Sequence, residues 1–341
     1  MKPTFLQKPK RTDSYDLITS KYLYKDLEKE LKKAKRKFLM QSMYLRPGRS
    51  SNELIFLIQQ AKKRIPVVRL TLDWFTLADV PWLGFIPSNY RKGLKKIIEA
   101  VKYLKVNLVI VSKPKSWQRL FYYTGRNHIK LVIIDDTSYL GGINLSDPDY
   151  GYLDFMLKIK DPIISKILSK IFYKSTSNLL RNSSYVVNKN TIIMTDGGER
   201  NKSEIYEFTK SELKKTKKSI VFVNQFPPTG EILEILSQQH KKNVEIKILI
   251  PKINKFNKVF ALIHLLLLFK LKIKYSFLKL NLSNNMIHAK LIIFDNKSII
   301  TGSHNFNQLG VLAGTKELAL FTTNNQLVKK AKSYADSISK I

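Results

Sequence analysis

Apolar stretches alternate with charged amphipathic stretches along the chain, and the whole alternation occurs twice. In the first half, the pattern predicts helices over residues 21–37, 52–63 and 91–103 and strands over residues 38–45, 67–72 and 106–111. In the second half, it predicts helices over residues 203–218, 231–240 and 258–269 and strands over residues 220–224, 244–250 and 272–277. Alternating strands and helices are typical of α/β folds. A repeat near half the chain length indicates a duplication and not a solenoid.

The duplication suggests a domain organisation. We predict an N-terminal tail over residues 1–20 and a first lobe over residues 21–181. A polar connection without helical periodicity is predicted over residues 182–199, and the second lobe over residues 200–341. Each lobe is expected to contain a mixed sheet flanked by helices.

Composition adds a strong positive charge to this picture. The 341 residues are 44% hydrophobic, which is enough for a sizeable core, and 60 Lys and Arg against 26 Asp and Glu give a net charge of +34. This excess favours an anionic partner, such as nucleic acid, an acidic membrane surface or a phosphate-bearing substrate. Forty-nine of the 60 basic residues are lysines. Non-specific attraction and a coding bias toward lysine and asparagine explain that surplus equally well.

Two absences narrow the possibilities. The chain has no cysteine, which excludes disulfides, thiolate zinc sites and a cysteine nucleophile. Residues 1–16 contain no apolar run of the secretory type, and the longest apolar stretch, residues 259–269, is too short to span a bilayer. We therefore expect a cytoplasmic protein, either free or bound to the inner face of the cell membrane.

The chemistry lies in a motif that each half contains once. The shared pattern is His-x-Lys, four apolar residues, Asp, and then a small-residue element that ends in Asn. The first copy comprises His128, Lys130, Asp135, Gly142 and Asn144, and the second comprises His288, Lys290, Asp295, Ser303 and Asn305. A single His-x-Lys carries little information, but two copies with matched offsets are not expected by chance. Two satisfied strand histidines would not explain why lysine recurs beside each of them.

Two imidazoles, two ammonium groups and two amides form a suitable site for a phosphodiester. One histidine would attack phosphorus and form a covalent phosphohistidine. The other would protonate the leaving alcohol, and the lysines and asparagines would stabilise the phosphoryl oxygens. This chemistry needs no metal and no cofactor, so none is predicted.

A nucleophilic imidazole also needs an acceptor on its second nitrogen. Each half supplies one acidic residue inside an apolar strand after the motif, namely Asp154 and Glu317. A carboxylate in such a strand is uncommon unless it is paired, although a solvent-facing position is the alternative. We predict that these two residues orient the histidines.

The paired motifs around His128 and His288 resemble those of the phospholipase D superfamily, over about residues 20–340. Within it, the chain is most similar to short bacterial cardiolipin synthases and related phosphatidyltransferases. The resemblance implies two α/β lobes packed as a pseudo-twofold unit with the active site at their junction. It also implies that His128 is the nucleophile and His288 the acid, and that Asp135 and Asp295 are structural.

The same resemblance suggests that Arg126, which leads into the first motif, contacts substrate.

The two copies of the motif differ in the spacing before the first asparagine, so the position of Asn144 is less certain than that of Asn305. Five residues separate Asp135 from Gly141, whereas six separate Asp295 from Gly302. A one-residue loss in a strand turns its side chains over unless a turn or bulge absorbs it.

The superfamily includes lipid enzymes and nucleases, so the motif alone leaves the substrate open. Residues 74–86, rich in Trp and Phe, residues 259–269, flanked by lysines, and the first helix with Tyr22, Tyr24 and Leu27 are candidates for membrane contact. Core packing is the alternative for the first two. The expected reaction is cardiolipin-type phosphatidyl transfer from phosphatidylglycerol by a monomer. A metal-independent nuclease, a hydrolytic phospholipase D and a binding pseudo-enzyme are the alternatives.

Overall fold

The computed structural model describes residues 14–77, 88–113, 124–144, 146–253 and 258–340, and all structural statements below refer to them. The first lobe contains strands β1 (Ser14–Thr19), β2 (Lys37–Ser42), β3 (Val67–Asp73), β4 (Asn107–Val111), β5 (Leu131–Ile134), β6 (Thr137–Gly141) and β7 (Phe155–Lys160). Its helices are α1 (Leu23–Leu31), α2 (Arg49–Lys62), α3 (Ser88–Tyr103), α4 (Asp147–Tyr150) and α5 (Pro162–Thr176), with 3-10 turns at Ser20–Tyr22 and Trp74–Thr76.

The second lobe repeats this order. Its strands are β8 (Ser183–Asn188), β9 (Thr191–Gly197), β10 (Ser219–Val223), β11 (Glu245–Pro251), β12 (Lys279–Ser283), β13 (Leu291–Phe294), β14 (Ser298–Gly302) and β15 (Lys316–Thr322). Its helices are α6 (Glu204–Lys215), α7 (Gly230–Lys241), α8 (Lys258–Lys274), α9 (Gln308–Ala313) and α10 (Asn325–Ile338).

The two sheets have matching topologies. The first has the order β1-β7-β6-β5-β2-β3-β4, and the second has the order β12-β11-β10-β13-β14-β15-β9-β8. In each, three parallel strands adjoin an antiparallel set, so β2 corresponds to β10, β5 to β13 and β7 to β15. The predicted α/β class with two similar lobes of mixed sheet is confirmed.

Both ends of the predicted first lobe differ from the sequence expectation. Residues 14–19 were assigned to a tail, but they form β1, which pairs antiparallel with β7. Residues 182–199 were assigned to a connection, but β8 and β9 form a hairpin there that joins the second sheet through β15. The polar residues that suggested a linker occupy an edge strand, where one backbone edge and alternate side chains face solvent.

One strand was placed too early. The strand predicted over residues 272–277 is wrong, because α8 continues to Lys274 and β12 begins only at Lys279. Leu268 and Leu271 are both buried, three residues apart, whereas Ile273 is exposed. Burial therefore follows the helical period through this segment.

The core explains why the motif strands are apolar throughout. In β5, Leu131 and Ile133 pack into a central cluster, whereas Val132 and Ile134 pack into the cluster beneath α1 and α2. In β13, Leu291 and Ile293 likewise face the central cluster. The central cluster draws side chains from both sheets and from α5 and α10, so the lobes share one apolar interior. Both faces of β5 and β13 are buried, which requires a continuous apolar run.

The motif aspartates hold the turn that follows each of these strands. Asp135 accepts backbone N–H groups of residues 35–37, at 2.8–2.9 Å. Asp295 accepts those of residues 217–219, at 2.6–3.2 Å. Each therefore ties the β5–β6 or β13–β14 turn to the start of β2 or β10. This geometry supports the structural role that the resemblance implied.

The missing residue of the first motif is absorbed in the same turn. Ile134 pairs with Thr137 across a two-residue turn, whereas Phe294 pairs with Ser298 across a three-residue turn. Beyond the turns the registers agree, since Gly141 pairs with β7 as Gly302 pairs with β15. The strands keep their faces, and the elements ending in Asn leave them in the same way.

Two candidates for membrane contact have mixed outcomes. Of the aromatic segment 74–86, the structure describes only residues 74–77, and Phe75 is buried there. The rest of the segment lies outside the described residues. In α1, Leu27 is buried while Tyr22, in the preceding turn, is exposed. Among the described residues, no helix is both long and apolar enough to cross a bilayer.

We predict that Asp295→Asn lowers the free energy of unfolding by roughly 1–3 kcal/mol, because the three N–H groups lose a charged acceptor. Asparagine still tolerates the left-handed backbone at this position (φ 51°). Denaturant unfolding at pH 7 measures the loss, and Asp336→Asn on the exposed face of α10 is the matched control, expected within about 0.5 kcal/mol.

The same prediction has a pH signature. Burial alone would raise the pKa of Asp295, but the backbone N–H groups outweigh it and lower the pKa. A lowered folded-state pKa stabilises the protein above the unfolded-state value and loses that effect as pH falls through the folded-state value. The difference between wild type and Asp295→Asn should therefore shrink below about pH 4. An unchanged difference at pH 3 would contradict the role.

Candidate active site

Each motif histidine lies on a segment that pairs with the other lobe. Backbone N–H of His128 donates to the carbonyl of Lys316 (2.9 Å), and Asn127 forms a β-bridge with the same residue. In the other direction, the N–H of His288 donates to the carbonyl of Leu153 (3.0 Å). Lys316 and Leu153 directly precede Glu317 and Asp154 in the sequence. The lobes are thus joined by backbone hydrogen bonds at the positions that carry the chemistry.

As a result, the histidine–carboxylate pairs cross between the lobes. Nδ1 of His128 lies 3.0 and 3.1 Å from the two carboxylate oxygens of Glu317, and Nδ1 of His288 lies 2.6 Å from Oδ2 of Asp154. The sequence identified the four residues, but it did not indicate that each acid pairs with the histidine of the other half. With Nδ1 directed at a carboxylate, Nε2 of each ring is the nitrogen left for chemistry.

Gly142 and Ser303 occupy equivalent positions in the two motifs, but they interact differently with the carboxylates beside them. A Cβ at Gly142 would lie 2.4 Å from Oδ2 of Asp154, so only glycine leaves room for that side chain. The Ser303 hydroxyl instead donates to Glu317, and it accepts the N–H of Leu318 at 3.0 Å. One half makes space for its carboxylate, while the other adds a hydrogen bond to it.

The two lysines are buried beside the histidines. Nζ of Lys130 donates to the carbonyl of His128 (2.7 Å), and Nζ of Lys290 donates to that of His288. Burial lowers the pKa of Lys130 to about 7 and that of Lys290 to about 8, against the pull of nearby carboxylates. These ammonium groups lack a direct carboxylate partner among the described contacts, so an anionic phosphoryl group would complete their environment.

The asparagines flank the same space. Both Asn144 and Asn305 line the cavity, and the side-chain oxygen of each is buried without a hydrogen-bond partner. Nδ2 of Asn144 donates to Asp149 (3.1 Å), a buried residue that also accepts from Tyr44 (3.0 Å). The sequence analysis missed Asp149 and Tyr44, since neither belongs to the repeated motif.

Arg126 lines the cavity and also has buried partners of its own. Its guanidinium is buried, lies 3.0 Å from Asp73, and donates to backbone carbonyls of Ser112 and Thr124. Asp73 also accepts the N–H of Asn127 at 2.6 Å. Arg126 borders the cavity, but these contacts make it a support for the segment that carries His128.

A cavity of about 180 Å³ connects these groups. Its polar wall is formed by both motif histidines, both asparagines, Arg126 and Glu317, and its apolar wall includes Met43, Phe226, Ile263, Leu267, Leu309 and Ala313. His304 also lines it, and its Nδ1 accepts the N–H of Phe306 (2.9 Å), which fixes the ring. The sequence analysis did not identify His304 as a site residue. It lies within the second motif, but the first motif has Ile143 at the equivalent position, so the repeated spacing does not indicate a function for it.

The electrostatics of the two pairs differ. Burial lowers the pKa of His128, against the opposing effect of Glu317, and lowers that of His288 further, with Lys290 adding to the effect. Burial raises the pKa of Asp154 to about 6 despite Lys290, whereas His128 and other cations overcome burial and bring the pKa of Glu317 to about 2. The Glu317 carboxylate beside His128 therefore remains ionised, whereas burial disfavours the charge of the Asp154 carboxylate beside His288.

No metal site accompanies these residues. Across the part of the chain that the structure describes, no three His, Asp or Glu side chains come close enough together to hold a metal ion. The arrangement can provide a nucleophilic nitrogen, a second imidazole for proton transfer, two cations and two amides around one small space.

Comparisons with known proteins agree with this geometry. Residues 209–339 match the family described as "Cardiolipin synthase, PLD-like domain". The crystal structure of phosphatidylserine synthase from Haemophilus influenzae Rd KW20 superimposes with a TM-score of 0.78 over 96% of this chain and 85% of that chain, at 13% identity. No curated protein is significantly similar in sequence.

Two further solved structures are similar. The polyphosphate kinase of Porphyromonas gingivalis has a TM-score of 0.61 at 9% identity, covering 97% of this chain but 52% of that one. The phospholipase D family member Nuc from Salmonella typhimurium covers 44% of this chain and 95% of its own, with a TM-score of 0.36 and 19% identity.

The second lobe therefore matches a phospholipase D-like domain, and the first lobe repeats its motif and the order of its strands. The protein is a phosphodiester transferase or hydrolase of that class.

We predict that Glu317→Gln lowers the pKa of His128 further, because the imidazolium loses the negative charge beside Nδ1 across the lobe junction. Histidine NMR titration of the labelled protein measures the shift. Glu234→Gln, on the exposed face of α7, is the control and should leave the titration unchanged. A His128 pKa unaffected by Glu317→Gln would show that the crossed pair is not formed in solution.

Proposed function

We propose that the protein is a phosphatidyltransferase of the cardiolipin synthase type, which joins two phosphatidylglycerol molecules. The observation that carries the proposal is a cavity with an apolar wall that both carboxylate-paired histidines line, with two buried lysines next to them in the chain fold. The description of the family matched by residues 209–339 and the fold shared with a phosphatidylserine synthase support a phospholipid substrate.

The first half-reaction would form a covalent intermediate. Nε2 of His128 attacks phosphorus, the N–P bond forms, and the P–O bond to glycerol breaks as His288 transfers a proton to the departing oxygen. Glu317 holds the His128 ring and stabilises the positive charge that develops on it. Asp154 does the same for His288 while that residue carries its proton.

In the second half-reaction, a hydroxyl of another phosphatidylglycerol enters the space left by glycerol. His288, now neutral, takes the hydroxyl proton, the oxygen attacks phosphorus, and the N–P bond breaks. Asn144 and Asn305 line the cavity that would hold the phosphoryl oxygens, and the buried Lys130 and Lys290 would stabilise their negative charge through both steps. Burial lowers the pKa values of both imidazoles. The negative charge of the bound phosphodiester would raise them, which supplies the acid only when substrate is present.

One chain contributes both halves of this site, so a monomer is sufficient. We propose that it works as a peripheral protein on the inner face of the cell membrane, where anionic phospholipid is both substrate and surface. The basic charge that favours lipid also suits nucleic acid, so a metal-independent nuclease is the competing function, and hydrolysis to phosphatidic acid is a third outcome.

We predict that His128→Asn abolishes turnover, with a loss of at least about 10³-fold, because the variant lacks the imidazole that attacks phosphorus. The assay follows products from phosphatidylglycerol vesicles and, in parallel, from single- and double-stranded DNA. Cardiolipin formed by the wild type but not by the variant supports the proposal. Cleavage of DNA without any change in the lipid would contradict the proposal and show that the same site has nuclease activity.

Trapping of the intermediate separates the roles of the two histidines. Acid quenching of wild type during turnover, followed by peptide mass spectrometry, should find the phosphatidyl group on the peptide that contains His128. His288→Asn should still form it from a substrate with a good leaving group, such as a p-nitrophenyl phosphodiester, since protonation is then unnecessary. A phosphatidyl group found on His288 would show that His288 is the nucleophile and His128 the acid.

We also predict an alkaline decline in kcat/KM. Lys130 and Lys290 are charged below their pKa values of about 7 and 8 and become neutral above them, so attraction for the phosphodiester is lost as pH rises through this range. Bound substrate raises both values, so kcat should persist to higher pH than kcat/KM. Steady-state rates from pH 6 to 10 test this, and a kcat/KM that stays flat to pH 10 would contradict it.

A further inference from the structure

Helix α8 has three distinct faces, although its sequence is apolar nearly all round. His264, Leu268 and Leu271 are buried against the sheet. Ile263 and Leu267 line the catalytic cavity. The remaining apolar side chains are exposed, namely Leu262 (59%), Leu265 (48%), Leu266 (61%), Phe269 (65%) and Ile273 (66%). Four of them follow the spacing i, i+4, i+7, i+11, which is one stripe along a helix.

The helix is held in this rotation. Nε2 of His264 lies 2.7 Å from the carbonyl oxygen of Pro251 at the end of β11, so one hydrogen bond ties the buried face to the sheet. The core below is already filled by other side chains, among them Ile248 and Ile250. The exposed stripe cannot rotate into the interior without breaking this contact.

The stripe continues at the rim of the cavity. In α9, Leu309 and Leu312 are exposed, and Leu309 also lines the cavity. Together with Ile263 and Leu267 they form an apolar margin on the side where α8 and α9 border the site. We call the exposed apolar side chains of α8 and α9 the apolar rim. Contiguous apolar surface of this kind is uncommon on a monomer unless something covers it.

The charge around α8 indicates what kind of partner covers the apolar rim. Residues 246–294 contain nine lysines and no acidic residue, although the chain has 26 acids elsewhere. Lys270, Lys272 and Lys274 lie exposed on the last turns of α8. A protein partner with an apolar patch would not by itself need this charge, and nucleic acid would gain nothing from five exposed Leu, Ile and Phe side chains. An anionic bilayer matches both features.

The size of the cavity points the same way. About 180 Å³ is less than the roughly 300–1,000 Å³ of sites that enclose drug-sized ligands. It admits a phosphodiester and its headgroup, but not two acyl chains. The chains of a bound lipid must remain outside, along the apolar rim.

We propose that the apolar rim inserts into one leaflet of an anionic membrane, and that the lipid headgroup reaches the histidines laterally, past Ile263 and Leu267, without leaving the bilayer. The lysines of α8 then lie at the level of the phosphate groups. The proposal rests on the proposed function for its choice of lipid as substrate, but membrane insertion is a separate property that can be measured without turnover.

Because the chain has no cysteine, single-cysteine labelling tests insertion directly. Phe269→Cys is labelled with an environment-sensitive fluorophore and mixed with vesicles of phosphatidylglycerol and phosphatidylcholine (1:1), and then with phosphatidylcholine alone. Val186→Cys, on exposed strand β8, is the matched control (73% exposed). We expect a blue shift and quenching by brominated acyl chains for Phe269→Cys on anionic vesicles only, weakened by salt, and no change for Val186→Cys.

A second pair of variants connects insertion with catalysis. Leu266→Asn/Phe269→Asn removes two rim side chains, whereas Leu179→Asn/Val186→Asn removes two exposed apolar side chains elsewhere. The rim variant should bind anionic vesicles at least tenfold more weakly, and it should lose turnover on vesicles in proportion. It should retain turnover of a monomeric short-chain phosphatidylglycerol, which needs no membrane. Equal vesicle binding by both variants would overturn the proposal.

The outcomes also separate this inference from the proposed function. Cardiolipin formation on vesicles without insertion of the Phe269 label would reject the docking surface and keep the function. Insertion without any lipid turnover would keep the docking surface and reject the function. A blue shift that depends on protein concentration in the absence of vesicles, with a dimer by light scattering, would assign the rim to a second copy of the chain and overturn the proposal.

Discussion

The histidine of each half is held by a carboxylate of the other half. Neither lobe can orient its own imidazole, because Glu317 reaches His128 and Asp154 reaches His288 across the junction. Backbone hydrogen bonds between the lobes, from His128 to Lys316 and from His288 to Leu153, set the distances that make this exchange possible. The geometry of the site is therefore the geometry of the interface, and any displacement of one lobe would loosen both pairs together.

The crossed pairs also explain how so much charge remains buried. Two lysines, two carboxylates and His288 lie almost fully out of solvent beside the half-buried His128, in one region where isolated charges would be costly. The apolar interior shared by both sheets excludes water from this region and strengthens each interaction within it. The stability of the interface and the reactivity of the site thus arise from the same packing.

Duplication has left the two halves similar in framework and different in detail. The aspartates after β5 and β13 make the same backbone contacts, and the sheets share one strand order. At the site, however, the first half has Gly142 and Ile143 where the second half has Ser303 and His304. The surroundings of the two carboxylates therefore differ. Two chemically distinct histidines are what a reaction with a nucleophile and an acid requires. Equivalent helices have also diverged, since α8 lines the cavity with Ile263 and Leu267, whereas no described residue of α3 does so.

The sequence by itself determined the duplication, the α/β class and most of the site residues, because a repeated spacing and apolar strands are local patterns that survive without coordinates. It misplaced the strand after α8 and treated β1 and the β8–β9 hairpin as tail and linker, since edge strands have only a weak apolar signal. Only the tertiary structure decided which acid pairs with which histidine, that Arg126 forms an ion pair with Asp73, and that Tyr44 and Asp149 join the site. These are contacts between residues 53 to 189 positions apart, and no local pattern records which distant segments meet when the lobes pack.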